Sequence, residues 1–361
     1  MSFFSTRMTR IKRIFTDNIL QAKSRKLLVI GFLKALLILF IIGSLVSCLL
    51  TEIDGDSSPP SNFSFIWMGS VEAVEQTRNM AINDFDRMAY TSDGNGIIGF
   101  YNISNPRMPT LMHSLRLPTF GDYISKIEVD NNRNLHIAAG RSGLYIVNAL
   151  NPQMPRILYQ NSEITAFDLS IEDDHIAVIN ENGWALYNRS VLDHLFEIRT
   201  HNYIDSPSPR KVLLRHPWLF VANNDRLDIF DLNSPPQSRP EQTIYYQNFV
   251  DFDVDSNGVF MALITRSELI FIDITNPLNA SEIRRMGVNL NPRVIRIAQG
   301  RLFISTWNRT VSVFRLTTLL EIPEEETRRQ FHQVVHDISF HHGYILFSQG
   351  INGIEIYRYL H

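Results

Sequence analysis

One recurring phrase, Leu144-Tyr145-Ile146-Val147-Asn148-Ala149-Leu150-Asn151-Pro152, limits the folds open to this chain more than any other feature. It returns as Ile98-Gly99-Phe100-Tyr101-Asn102-Ile103-Ser104-Asn105-Pro106, as Asp228-Ile229-Phe230-Asp231-Leu232-Asn233-Ser234-Pro235 and as Ile270-Phe271-Ile272-Asp273-Ile274-Thr275-Asn276-Pro277. The closing prolines stand 46, 83 and 42 positions apart, and the longest gap spans two periods. A repeat of about 40–45 residues, rich in β-branched and aromatic side chains, marks a β-propeller. The Asn-Pro that closes the phrase ends a strand. Proline lacks a ladder donor, and asparagine hydrogen-bonds its own backbone into a turn.

Aligning the repeats predicts an all-β, seven-bladed propeller of four-stranded antiparallel blades over residues 62–361. Each unit runs from an inner strand to a small-residue strand, such as His136-Ile137-Ala138-Ala139 or Phe260-Met261-Ala262-Leu263, and then to the phrase. Small side chains recur there because neighbouring blades pack face to face. Turns such as Asp93-Gly94-Asn95-Gly96 and Asn180-Glu181-Asn182-Gly183 join strands two and three. The seventh unit reaches His361 after three strands, so the strand-like run from Phe63 to Val74 is expected to complete it. Such a closure leaves no sheet edge open to other chains.

The phrase LYIVNALNPQMP, with FYNISNPRMP and FIDITNP, resembles the LVIVD repeat of bacterial and archaeal surface proteins. The resemblance covers roughly residues 62–361. It is strongest in units one, two and five; units three (Trp184-Ala185-Leu186-Tyr187-Asn188) and six (Val311-Ser312-Val313-Phe314-Arg315) lack the Asn-Pro. It implies a propeller and a surface address, and it carries no catalytic motif.

Charge and cysteine speak to location. Residues 1–34 hold eight basic side chains and one acid, Asp17, a net of +7, while the whole chain carries −3. The remainder is therefore at −10, and an acidic body repels phosphate backbones, which argues against a nucleic-acid partner. The basic segment leads into the apolar run 35–47, an export-signal pattern. Directly after it, Leu45-Val46-Ser47-Cys48 resembles the bacterial lipobox, which implies lipidation at Cys48. Acyl chains hold a soluble domain on a bilayer through about 0.8 kcal/mol per buried CH2. Leu27 to Leu50 is also long enough to serve as an uncleaved single-helix anchor, with Lys34 interrupting it. Either way the basic end stays in the cytoplasm and the acidic body lies outside. Leu49 differs from the aspartate retention signal, so a lipidated form is expected in the outer membrane where the host has one. Residues 48–61 read as a polar, Pro- and Ser-containing tether.

No nucleophile elbow, P-loop, zincin helix or dinucleotide fingerprint occurs. Two constellations approach a site. Aligned inner strands put Glu128, Asp168, Asp253 and Asp337 at one position, with Leu213 and Arg296 in units four and six. Carboxylates gathered at a channel mouth are candidates to hold a cation such as Ca2+. The competing reading has each acid bonding backbone donors or pairing with Arg296, Lys126 or Arg293. The second constellation is His332, His336, His341 and His342. On a strand the His332–His336 spacing is about 13 Å, too long for one metal, and a solvated turn accounts for the last pair. The charged run Glu321–Arg329 reads as a solvated loop, and Trp67, Trp184, Trp218 and Trp307 as blade packing. The leading functional expectation is a non-enzymatic binding or scaffolding module on a membrane tether. The alternatives are a cation-dependent, lactonase-like hydrolase and a structural subunit of an envelope assembly complex.

Overall fold

Seven four-stranded antiparallel sheets make up the structure, a computed structural model that describes residues 63–119, 123–203, 209–235, 239–316 and 323–360. Six of the sheets take four consecutive strands each. The seventh begins with the inner strand Asp337–His341 and takes its outermost strand from the other end of the chain. That closing strand, Ser64–Val71, pairs antiparallel with Ile354–Leu360, from Ser64 opposite Leu360 to Val71 opposite Ile354. The seven-bladed propeller and its N-terminal closing strand are therefore as the repeat predicts. Among the described residues the sole helical element is the single 3-10 turn Pro277–Asn279, and no helix is long and apolar enough to cross a membrane. The N-terminal segments, with Cys48, lie outside the described residues.

The core is divided among the joints of the ring. Among the described residues seven buried clusters occur, and each joins two neighbouring blades. In the phrase of blade two, Tyr145 and Val147 pack toward blade one, while Leu144 and Ile146 pack toward blade three. A strand with apolar neighbours on both faces needs apolar side chains at every position. This is why the phrase reads as a continuous run rather than an alternation. Its end is built as the sequence suggests: Asn102, Asn148 and Asp273 each accept from the backbone N–H two residues on, and Asn105, Asn151 and Asn276 do the same.

Closure depends on a specific fit. Phe63 is 4% exposed and lies in the core between blades six and seven, with ring centroids 5.2 Å from Phe65 and 5.9 Å from Phe303. The Arg301 guanidinium covers its ring at 4.8 Å. Midway along the closing strand a bulge falls between Trp67 and Gly69. A β-carbon at Gly69 would stand 2.6 Å from the Pro106 carbonyl oxygen, so the strand can lie against the end of blade one's phrase only with glycine there.

One expectation fails here. The charged run is not a loop: Glu324–Gln330 forms the outer strand of blade six. Outer strands meet water along much of their surface and tolerate charge. The one inward carboxylate, Glu326, is held between Arg301 and Arg315 at 2.7 Å from each. The tryptophans divide as well. Trp184 is fully buried and Trp218 packs on the core between blades four and five, whereas Trp67 and Trp307 are 54% and 51% exposed.

Candidate functional site: the central channel and its two mouths

The innermost strand of each blade has a ladder on one side only, so alternate backbone N–H groups face the channel without a sheet partner. Leaving them buried and unpaired would cost about 1–3 kcal/mol apiece. The inner-strand carboxylates meet this need across the joints. Glu128 accepts from Ile171 N–H at 2.9 Å, Asp168 from Val212 at 2.9 Å and Asp253 from Ile297 at 2.7 Å. Asp251 accepts from Ile295 and Asp337 from Met80, each at 3.1 Å. Every one of these bonds runs from a blade to the next in the ring, and the last joins blade seven to blade one. Lys211 reverses the polarity at the joint between blades four and five, donating to the Phe252 carbonyl at 2.6 Å.

The predicted single ring is corrected to two levels. Glu128, Asp253 and Arg296 lie opposite His136, Ala262 and Phe303, each the third residue of its blade's second strand. Asp168 and Asp337 lie opposite Ile179 and Ser348, each the fifth residue. Lys126, expected as a partner of these acids, shares that second level with Lys211 and Asp251, which the sequence did not single out. Leu213 stands opposite Phe220, at the level of Glu128.

Across the two levels, acids and bases interleave. Arg296 bridges Asp251 at 2.9 Å and Asp337 at 2.5 Å, Lys211 reaches Asp251 at 2.6 Å, and Lys126 lies 3.5 Å from Glu128. Burial alone would lower Arg296, but Asp337, Asp251 and Asp253 outweigh it and hold it above its ordinary value. Lys126 is raised in the same way, against burial, by Glu128 and then Asp168. Burial would raise Asp251, yet Lys211 and Arg296 keep it low. Asp168 goes the other way. Its burial outweighs Lys126 and Lys211 and pushes the carboxyl up to about 6. Burial also leads in raising Asp253.

The channel's two mouths differ. At the mouth where the inner strands end, His341 Nδ1 lies 2.6 Å from Asp84 Oδ1, across the joint between blades seven and one. His342 adds a third donor, and one ligand atom from each of the three falls within 4.8 Å of the others. Asp84 and His342 are exposed and His341 is buried, so the solvated-turn reading holds for His342 and fails for His341. Among the described residues, these are the side chains on this face that could hold a metal ion. His332 is exposed and stands apart from them.

At the opposite mouth, where the inner strands begin, the lining is basic. Arg78 and His336 each donate a backbone N–H to the last residue of their blade's second strand, Ser92 and Ser348. Arg293 precedes Val294, which pairs with the matching residue of blade six, Ser305. Arg78 covers the ring of Tyr123 at 5.1 Å, and Arg293 that of Trp307 at 4.4 Å. The two aromatic residues are 54% and 51% exposed. Burial first, then Arg293 and Arg78, push His336 down to about 4, which leaves it neutral at neutral pH.

No protein-family model matches the chain, and no curated protein matches it.

Proposed function

We propose that the protein is a non-enzymatic binding and scaffolding module, held on a membrane by its N-terminal segment and displayed outside the cytoplasm. The observation that carries this reading is the use to which the channel carboxylates are put. Their oxygens accept from the next blade's backbone and pair with Lys126, Lys211 and Arg296. A closed ring with its core at the joints gives a rigid frame, and propellers present ligand-binding loops at the ends of such a frame.

Elemental analysis of the purified chain tests it. No divalent ion should depend on the channel acids. A stoichiometric ion that disappears in an Asp168→Asn Asp253→Asn double variant would overturn the reading in favour of a cation-dependent hydrolase.

The tether is tested separately. The basic segment, the apolar run and the lipobox-like Leu45-Val46-Ser47-Cys48 support lipidation at Cys48. Labelled palmitate should enter the wild type and be lost in Cys48→Ala. Label that survives the substitution ends the lipoprotein reading.

A further inference from the structure

We propose that Arg78, Arg293 and His336 form a binding site for an oxyanion, the carboxylate or phosphate group of a ligand entering the channel where the inner strands begin. The inference rests on the binding-module reading and names its site and ligand class.

Three observations carry it. The first is placement. The three residues occupy matching positions on the adjacent blades one, six and seven, just before the level that includes Asp337, and the inner strand of blade seven lies against those of both its neighbours. The second is the lack of partners. Arg78 Nε, Arg293 Nε and His336 Nδ1 are enclosed and make no hydrogen bond among the described residues. An enclosed donor left unpaired is costly, and native structures seldom keep three together without a reason. The third is electrostatic. Arg293 is held below its ordinary value by burial and then by the Arg78 charge, while Asp337 and Asp251 pull it back up. Those two acids are already engaged by Arg296 and Lys211. Two like charges are thus held together with no committed counter-charge among the described residues.

An oxyanion resolves all three. Its oxygens accept from both guanidiniums in the charge-assisted geometry that suits arginine, and the neutral imidazole offers a further N–H. Tyr123 and Trp307 each carry an arginine on one face and leave apolar ring surface exposed at the mouth, so a carboxylate or phosphate carried on a sugar ring fits the chemistry.

Calorimetric titration of the full chain at low ionic strength tests the site, with inorganic phosphate, glucuronate and uncharged glucose as separate probes. Phosphate or glucuronate should bind saturably at one site per chain, and glucose should not. Stronger binding of phosphate would point to a phosphate ester, and stronger binding of glucuronate to an acidic sugar. Arg78→Gln and Arg293→Gln should each weaken binding at least tenfold, and the double variant should abolish it. Because each substitution relieves repulsion between like charges, thermal midpoints should hold or rise, which separates a binding role from a structural one. Failure of both anions to bind the wild type, or binding that survives in the double variant, overturns the site. Neither result bears on the elemental analysis, so this inference can fail while the binding-module reading stands.

Discussion

Removal of residues 63–74 should abolish the cooperative thermal transition of the propeller and shift the protein into large aggregates on size exclusion. The deletion strips the outward edge of Ile354–Leu360 of its ladder and takes Phe63 out of the core between blades six and seven. An exposed apolar strand edge recruits other chains. A domain's net stability is only about 5–15 kcal/mol, so loss of a whole strand and its packing is expected to exceed the margin. A synthetic peptide spanning the deleted residues, added during refolding, should restore the wild-type elution volume. A truncated chain that elutes with the wild type and melts at its midpoint would show that the ring does not need its closing strand.

The second large effect is expected at Asp337. Its carboxylate accepts from Met80 N–H at 3.1 Å, pairs with Arg296 at 2.5 Å and accepts from Ile338 N–H at 2.9 Å. One side chain thereby links blades six, seven and one. Asp337→Ala should cost about 3 kcal/mol in urea unfolding, because a half-buried guanidinium loses one of its two carboxylates and a buried N–H loses its acceptor. Asp337→Asn keeps an acceptor for Met80 and should cost markedly less. Equal losses for the two variants would mean that the charge pair, and not the backbone bond, carries the effect. An alanine variant within about 0.5 kcal/mol of wild type would remove Asp337 from the closure altogether.

The fold was legible because its strongest signal is local and repeated. A phrase such as Leu144–Asn148 is apolar throughout since both of its faces are buried, and its Asn-Pro ending is a turn chemistry that needs no tertiary knowledge. The closing strand could be inferred from simple incompleteness, three strands in the last unit and one to spare at the start. The channel was harder to read. The repeat pattern sets Asp168 and Asp337 level with Glu128 and Asp253, whereas the ladders put them two residues apart. A slip of one residue would have turned apolar side chains into the channel and exposed the error. A slip of two preserves the alternation and leaves no trace in the sequence. Lys211 and Asp251 were missed for the same reason, because only the ladders show which level they occupy. The outer strand Glu324–Gln330 resembles a loop in sequence because its charge mimics irregular backbone, yet the rim of a blade is where charge and regular pairing coexist. The basic mouth left almost no signal. Arg78, Arg293 and His336 are scattered over 259 positions, and only closure of the circle makes them neighbours.

The placement of the closing strand also decides how the propeller meets mechanical load. A pull applied between residue 63 and the end of the last strand acts where Ser64 faces Leu360. A pull there separates the pairs one after another, from Ser64 toward Val71, instead of shearing them all at once. The seam would therefore give way before any blade whose four strands are consecutive, and a pulling experiment should record a small early rip of one strand ahead of the collapse of the wheel.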